Sequence, residues 1–141
     1  MKGFKITTED QIEIKFYFYT DYAPVTSTSF INILPFTRTF YHAKFSGHEI
    51  WIDDVPPLDI IQENASVFTT MGEVVFGPSS PKRTKTANCF GIYYGVGKGI
   101  DACNIFAKVV DQDLQKLIDL GNNIWKLGAQ TLTLSYLEKV I

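Results

Sequence analysis

One alternation constrains this chain more than any other feature. Ile12, Ile14, Phe16 and Phe18 interleave with Glu13, Lys15, Tyr17 and Tyr19. Successive side chains of a strand point to opposite faces, so this run lays one face on a core and turns the other outward. A shorter apolar stretch from Phe4 to Thr8 precedes it, and Glu9-Asp10 supplies a turn, which predicts a hairpin. A helix signal comes next. Pro24 suits a first helical turn, Phe30, Ile31 and Leu34 recur at helical spacing, and Pro35 ends the element.

A second hairpin is expected around Ser46-Gly47, from Thr37 to Phe45 and from His48 to Asp53. A tight two-residue turn there sets Phe45 across from His48, Lys44 from Glu49, Ala43 from Ile50 and His42 from Trp51. Residues directly across share a face. Tyr41, Ala43, Phe45, His48, Ile50 and Ile52 then form an apolar face, and His42, Lys44, Glu49 and Trp51 form the other. Residues 54–66 are loose, broken by Pro56-Pro57, and residues 79–86 have loop chemistry. Further strands are predicted from Gly72 to Phe76, Cys89 to Tyr94, Ile105 to Val110 and Thr131 to Leu137. Asp111 caps a helix from Gln112 to Leu127, with Leu114, Leu117, Ile118, Ile124 and Trp125 on its apolar side and Gly128 as its stop. Many strands, two helices and one core predict a mainly β protein: a closed barrel with helices at its ends. At 141 residues the chain is expected to form a single domain over 1–141.

Composition narrows the function classes. Thirteen Lys and Arg against fifteen Asp and Glu give a net charge of -2. No cationic excess draws the chain to nucleic acid or to an anionic membrane surface. No apolar run reaches the ~18–20 residues of a membrane helix, and the first residues lack a signal-peptide core, so a cytoplasmic location is expected. Cys89 and Cys103 are read as reduced, partly buried thiols. With two His and two Cys in the chain, and the hairpin expected to turn His42 and His48 to opposite faces, no metal set converges. No cofactor is expected.

Two segments resemble the cyclophilins, the prolyl-isomerase family. Ala23-Pro24-Val25-Thr26 through Phe30 and Leu34 is similar to that family's first helix. Asn104 to Asp111 resembles its penultimate strand, which leads into the second helix, and Thr131-Leu132-Thr133-Leu134 its last strand. The resemblance implies an eight-stranded antiparallel barrel closed by a helix at each end. It does not carry the catalysis: where cyclophilins place Phe-His-Arg, this chain reads Tyr41-His42-Ala43, and their Asn-Gly-Ser-Gln-Phe run is missing. Over nearly its whole length the chain resembles a family of uncharacterised bacterial and archaeal proteins with a cyclophilin-like barrel. His42-Ala43-Lys44, Ser46 to Trp51, Glu63-Asn64-Ala65, Gly91 to Gly95, Asn104 to Ala107 and Gly128 to Thr133 carry that resemblance. It implies the barrel and no activity.

The candidate ligand-binding residues are His42, Lys44, Glu49 and Trp51, with Glu63, Asn64 and Tyr93 placed to reach the same face. An imidazole, an ammonium, a carboxylate and an indole on neighbouring strand positions suit a small polar ligand, with the indole stacking on it. The plainer alternative is an exposed cross-strand ion pair worth ~0.2–1 kcal/mol. Asn104 is expected to satisfy backbone groups. Gly95-Val96-Gly97-Lys98-Gly99 is not a phosphate loop, since it lacks the Walker spacing and opens no helix; a flexible connection is expected instead. Lys82, Arg83 and Lys85 read as a solvated loop, with a flap over a ligand as the alternative. The expected function is binding of a small molecule or peptide on the outer barrel face. The rivals are a prolyl isomerase with a rebuilt site and a homo-oligomer that buries Tyr17, Tyr19 and Trp51.

Overall fold

The computed structural model describes residues 1–141. Its elements in chain order are β1 (Gly3–Thr7), β2 (Glu13–Phe18), α1 (Pro24–Ile31), β3 (Phe36–His42), β4 (Gly47–Ile52), β5 (Ala65–Phe68), β6 (Glu73–Phe76), β7 (Phe90–Val109), α2 (Leu114–Leu127) and β8 (Gln130–Leu137). The alternation that opens the chain forms the expected hairpin, with Phe4 paired to Phe16 and Ile6 to Ile14. All four side chains are buried.

The strands run β2-β1-β8-β3-β4-β7, and pairing of β2 with β7 closes the ring. Six strands therefore close the barrel, all antiparallel, while β5 and β6 pair with β7 as additional strands. The expected count of eight closing strands is corrected here. The two strands predicted at Cys89–Tyr94 and Ile105–Val110 are the ends of one 20-residue strand, β7, which passes through the glycine run without a break. Its two ends embrace β6, so that Val74 pairs with both Ile92 and Ala107. β5 lies at the end of a stretch too irregular to announce a strand and pairs with the middle of β7 at Cys103 and Asn104.

The core is rich in phenylalanine. Phe4 stacks on Phe16 at 4.7 Å between ring centroids, and Phe30 of α1 stacks on Phe90 at 5.0 Å and meets Phe106 edge-on at 5.2 Å. Pairs of this geometry add ~0.5–1.5 kcal/mol beyond the area they bury, so a single helical ring ties α1 to both ends of β7. Leu117, Leu120, Gly121 and Ile124 form the buried stripe of α2. Gly121 lies against the Tyr94 ring, leaving no room for a Cβ there. Trp125, expected on that stripe, is 65% exposed and rests on His42 at 4.7 Å instead. Gly128 stops α2 at φ 102°, as the sequence predicts. No helix is long and apolar enough to cross a membrane.

Register corrects the second hairpin. Tyr41 pairs with Trp51 and His42 with Ile50, one position away from the expected alignment. Residues 43–46 form a wider loop in place of a two-residue turn, with Gly47 at φ 98°. Because the side-chain period is two, a slip of one residue moves β3 side chains to the other face relative to β4.

Candidate functional site

After that shift, His42 shares a side with Ile50, while Tyr41 joins Glu49 and Trp51 on the outer face. His42 and His48 lie together, with ring centroids 5.6 and 5.3 Å from Tyr94, which corrects the expectation of opposite faces. The His42 ring also meets the Tyr94 hydroxyl at 2.6 Å through Nε2. No group of three His, Cys, Asp or Glu side chains comes together.

The outer face of β4 and β7 is the floor of a cavity of about 490 Å³. Glu49 stands across from Tyr93 and Trp51 across from Gly91. Of the sequence candidates, His42, Lys44, Glu49, Trp51 and Tyr93 line this space, and Glu63 and Asn64 do not. Glu63 is held elsewhere. Its Oε2 accepts from the Thr26 backbone N–H at 2.6 Å and from the Thr26 hydroxyl at 2.7 Å. It thereby serves the start of α1, whose own N-cap residue, Ala23, has no side-chain acceptor. Asn64 takes φ 47° and donates to the Ile105 carbonyl at 2.8 Å. Asn104 accepts from the Glu63 N–H and donates to Ile61 O and Thr26 Oγ1, the backbone-satisfying role expected of it.

Glu49 is not half of an exposed ion pair. It is buried at 9% exposure and makes no salt bridge. Ser46 Oγ donates to its Oε1. Burial in the cavity floor raises its pKa to about 7, against the opposing pull of hydrogen bonds from the Ser46 and Tyr93 hydroxyls. Tyr93 is pushed well above the usual phenol range by burial and by the neighbouring carboxylate, so its hydroxyl keeps its proton. A carboxyl group therefore sits beside the Ser46 hydroxyl and across the ladder from Tyr93, against an apolar wall, with charged and neutral forms balanced near neutral pH.

Residues without a strong sequence signal complete the lining. Cys89, just before β7, and Gly91 and Tyr93 at its start line the cavity, and Val75, Cys103 and Tyr93 belong to a small apolar cluster outside the barrel core. Burial pushes the Cys89 thiol up to about 12 and raises Cys103 as well, so both remain neutral thiols. Thr69 Oγ1 is buried at the wall with no hydrogen-bond partner. Such groups cost roughly 1–3 kcal/mol when left unmet, and a polar atom of a ligand would meet it.

The basic loop is more ordered than a solvated charge run. The Arg83 guanidinium holds Ala102 O, Pro81 O and Gln62 Oε1. Asp101 Oδ2 accepts from the backbone N–H groups of Lys85 and Thr86. These bonds pin the loop beside the middle of β7 and bring Lys85 to the cavity, where Lys44 stands as well. Neither ammonium is in a salt bridge. The glycine run proves structural. Gly97 leaves room for the Tyr93 ring and Gly95 for His48, inside a continuous strand and not a flexible connection. Tyr17, Tyr19 and Trp51, expected to be exposed, are half-buried, and the Tyr19 hydroxyl donates to Glu73 at 2.7 Å.

Comparison with known proteins agrees with this architecture. McbB, solved in complex with tryptophan, is 14% identical with a TM-score of 0.76, over 98% of this chain and 46% of McbB. The chain thus spans about half of McbB's length. The hypothetical protein AF2241 from Archaeoglobus fulgidus is 17% identical with a TM-score of 0.61, over 96% of this chain and 93% of its own. A cyclophilin-type peptidyl-prolyl cis-trans isomerase from Cryptosporidium parvum, crystallised in the presence of the dipeptide Ala-Pro, is 17% identical. Its TM-score is 0.52, over 83% of this chain and 85% of the isomerase. Likeness at these identities shows a shared cyclophilin-like fold and nothing finer. No curated protein matches the chain in sequence. Residues 6–136 match a single family, so the chain belongs to DUF3830, described as a protein of unknown function.

Proposed function

We propose that this protein binds a small molecule in the cavity over β4 and β7, and that the ligand joins an aromatic or apolar body to an anionic group. The observation that carries this reading is Glu49: a buried carboxyl without a counter-ion at the floor of a cavity of about 490 Å³. That volume lies within the ~300–1,000 Å³ of small-molecule sites, which are mostly apolar with a few convergent polar groups. Trp51 and Tyr41 offer ring faces, Lys44 and Lys85 offer unpaired cations, and Thr69 offers an unmet hydroxyl. The tryptophan bound by McbB is a ligand of this general kind, with a ring, an ammonium and a carboxylate, and it supplies the first probe.

Thermal melting with tryptophan, tryptamine and indole-3-propionate tests the reading, since a ligand that binds only the folded state raises its stability. Melting temperature should rise most with a probe that keeps the carboxylate, and the rise should shrink in Lys44→Ala. No shift with any of the three at millimolar concentration overturns it.

The prolyl-isomerase reading draws on the cyclophilin-like barrel and is weaker. Polarising a prolyl amide calls for a fixed cation, and the chain has Ala43 at the expected position of that arginine. Lys44 is a point charge without a planar fork. Acceleration of X-Pro isomerisation that disappears in Lys44→Ala would favour the isomerase instead.

A further inference from the structure

The cavity floor holds more than a binding contact requires. A ligand donor is met well enough by a carbonyl or an amide, neither of which carries a desolvated charge. Here an ionisable group is buried without a counter-ion, and a strand position is given up to house it. Gly91 stands where any Cβ would collide with the Glu49 carboxylate. The Ser46 hydroxyl donates to the same group, and Tyr93 stands across the ladder from it. The thiols of Cys89 and Cys103 share the space as neutral groups, which argues against a covalent route through sulfur.

We propose that Glu49 is a catalytic acid–base that moves a proton on a bound 2-oxo acid, interconverting its keto and enol forms. The inference rests on the ligand reading above and names its substrate class. Lys44 and Lys85 meet the substrate carboxylate, and Trp51 meets the substituent. The Glu49 carboxylate takes a proton from the carbon next to the ketone. The C–H electron pair becomes the C=C bond, and the carbonyl pair moves onto oxygen. The Tyr93 hydroxyl has a single proton to donate, and once Glu49 is protonated it turns that hydrogen bond to the oxygen whose charge develops. Glu49 then returns its proton to the same oxygen, giving the enol and restoring the carboxylate. Nothing is oxidised or reduced, and no second reactant is consumed.

The substrate class follows from the lining. A carboxylate complements the two unpaired ammonium groups, and the adjacent ketone makes the neighbouring C–H acidic enough for a carboxylate base near neutral pH. A general base works best when its pKa lies near the working pH, and the Glu49 environment meets that condition.

Phenylpyruvate is the probe, since it carries a ring, a carboxylate and an acidic C–H. Its binding is read by quenching of Trp51 fluorescence in Trp125→Phe protein. Its deuterium uptake at the carbon beside the ketone is read by NMR in D2O, against the protein-free rate. The expected result is binding with accelerated exchange, and loss of that acceleration by about 100-fold or more in Glu49→Gln while binding persists. The exchange rate should also rise with pH through about 7. Binding without acceleration overturns the catalytic proposal and leaves the ligand reading standing. Acceleration that survives in Glu49→Gln overturns the assignment to Glu49. Absence of binding removes both readings together.

Discussion

Gly91 leaves empty the volume that the Glu49 carboxylate fills. It stands across the β4–β7 ladder from Trp51, and a Cβ added to it would overlap Glu49 Oε2. Its φ is not in the left-handed region, so strand conformation alone would admit alanine. The constraint comes from the site and not from the backbone.

Gly91→Ala therefore isolates the placement of one carboxyl group. The added methyl should displace Glu49 from the cavity floor, away from Ser46. Retained circular dichroism with ligand-induced melting shifts reduced by at least half is the expected outcome. An unchanged shift would mean that the position of Glu49 is immaterial to the ligand.

Stability should depend on pH through the same residue. The Glu49 pKa is raised in the folded protein to about 7, from the ~4.3 of an unfolded glutamate. Between those values the folded state holds a proton that the unfolded state has released, so stability falls as pH rises and levels off above about 7. Glu49→Gln removes this loss. The variant should equal the parent near pH 4 and exceed it at pH 8 by on the order of 3–4 kcal/mol. Urea unfolding at both pH values reads the difference, and equal gaps at the two pH values would remove Glu49 as its source.

Much of the barrel was legible because its signals are local. The alternation of residues 13–18, Pro24, the amphipathic face of residues 114–124 and Gly128 each act within a few residues, and each lies where the sequence put it, whereas Ile12, expected on the core face, precedes β2 and is exposed. The site was legible as a list and not as a geometry. Glu49 and Trp51 were placed on a common outward face and do share one, but Lys44 was paired across from Glu49 on an assumed turn. Turn length is set by local loop conformation, which the dipeptide Ser46-Gly47 underdetermines, and one residue of difference moved His42 to the other side. The cavity around Glu49 is completed by residues of segments 66–69 and 85–103, distant in sequence, which no period reveals. Glu63 misled for a similar reason. Its partner is the start of α1, 37 residues away, and no spacing encodes that contact.

That contact supplies a control. Glu63 meets the first N–H groups of α1 in place of an N-cap side chain. Loss of a cap typically costs ~0.5–2 kcal/mol. Glu63→Ala should lower stability by about 1–2 kcal/mol and leave ligand affinity within twofold. Weakened binding in a folded Glu63→Ala protein would return this residue to the site.

Tyr93→Phe completes the argument about the carboxyl group. The Tyr93 hydroxyl, with that of Ser46, opposes the effect of burial on Glu49 by stabilising the charged form. Deleting it removes a donor and adds no charge, so the Glu49 pKa must move up, above about 7. The pH at which the Glu49 side chain titrates, followed by NMR of its carboxyl carbon in 13C-labelled protein, should therefore increase in the variant. Tyr93 lies across the ladder from Glu49 on a rigid pair of strands, so little rearrangement is available to replace the lost donor. An unchanged or lower titration point would mean that the hydroxyl does not hold the carboxylate, and that burial and Ser46 alone set its charge.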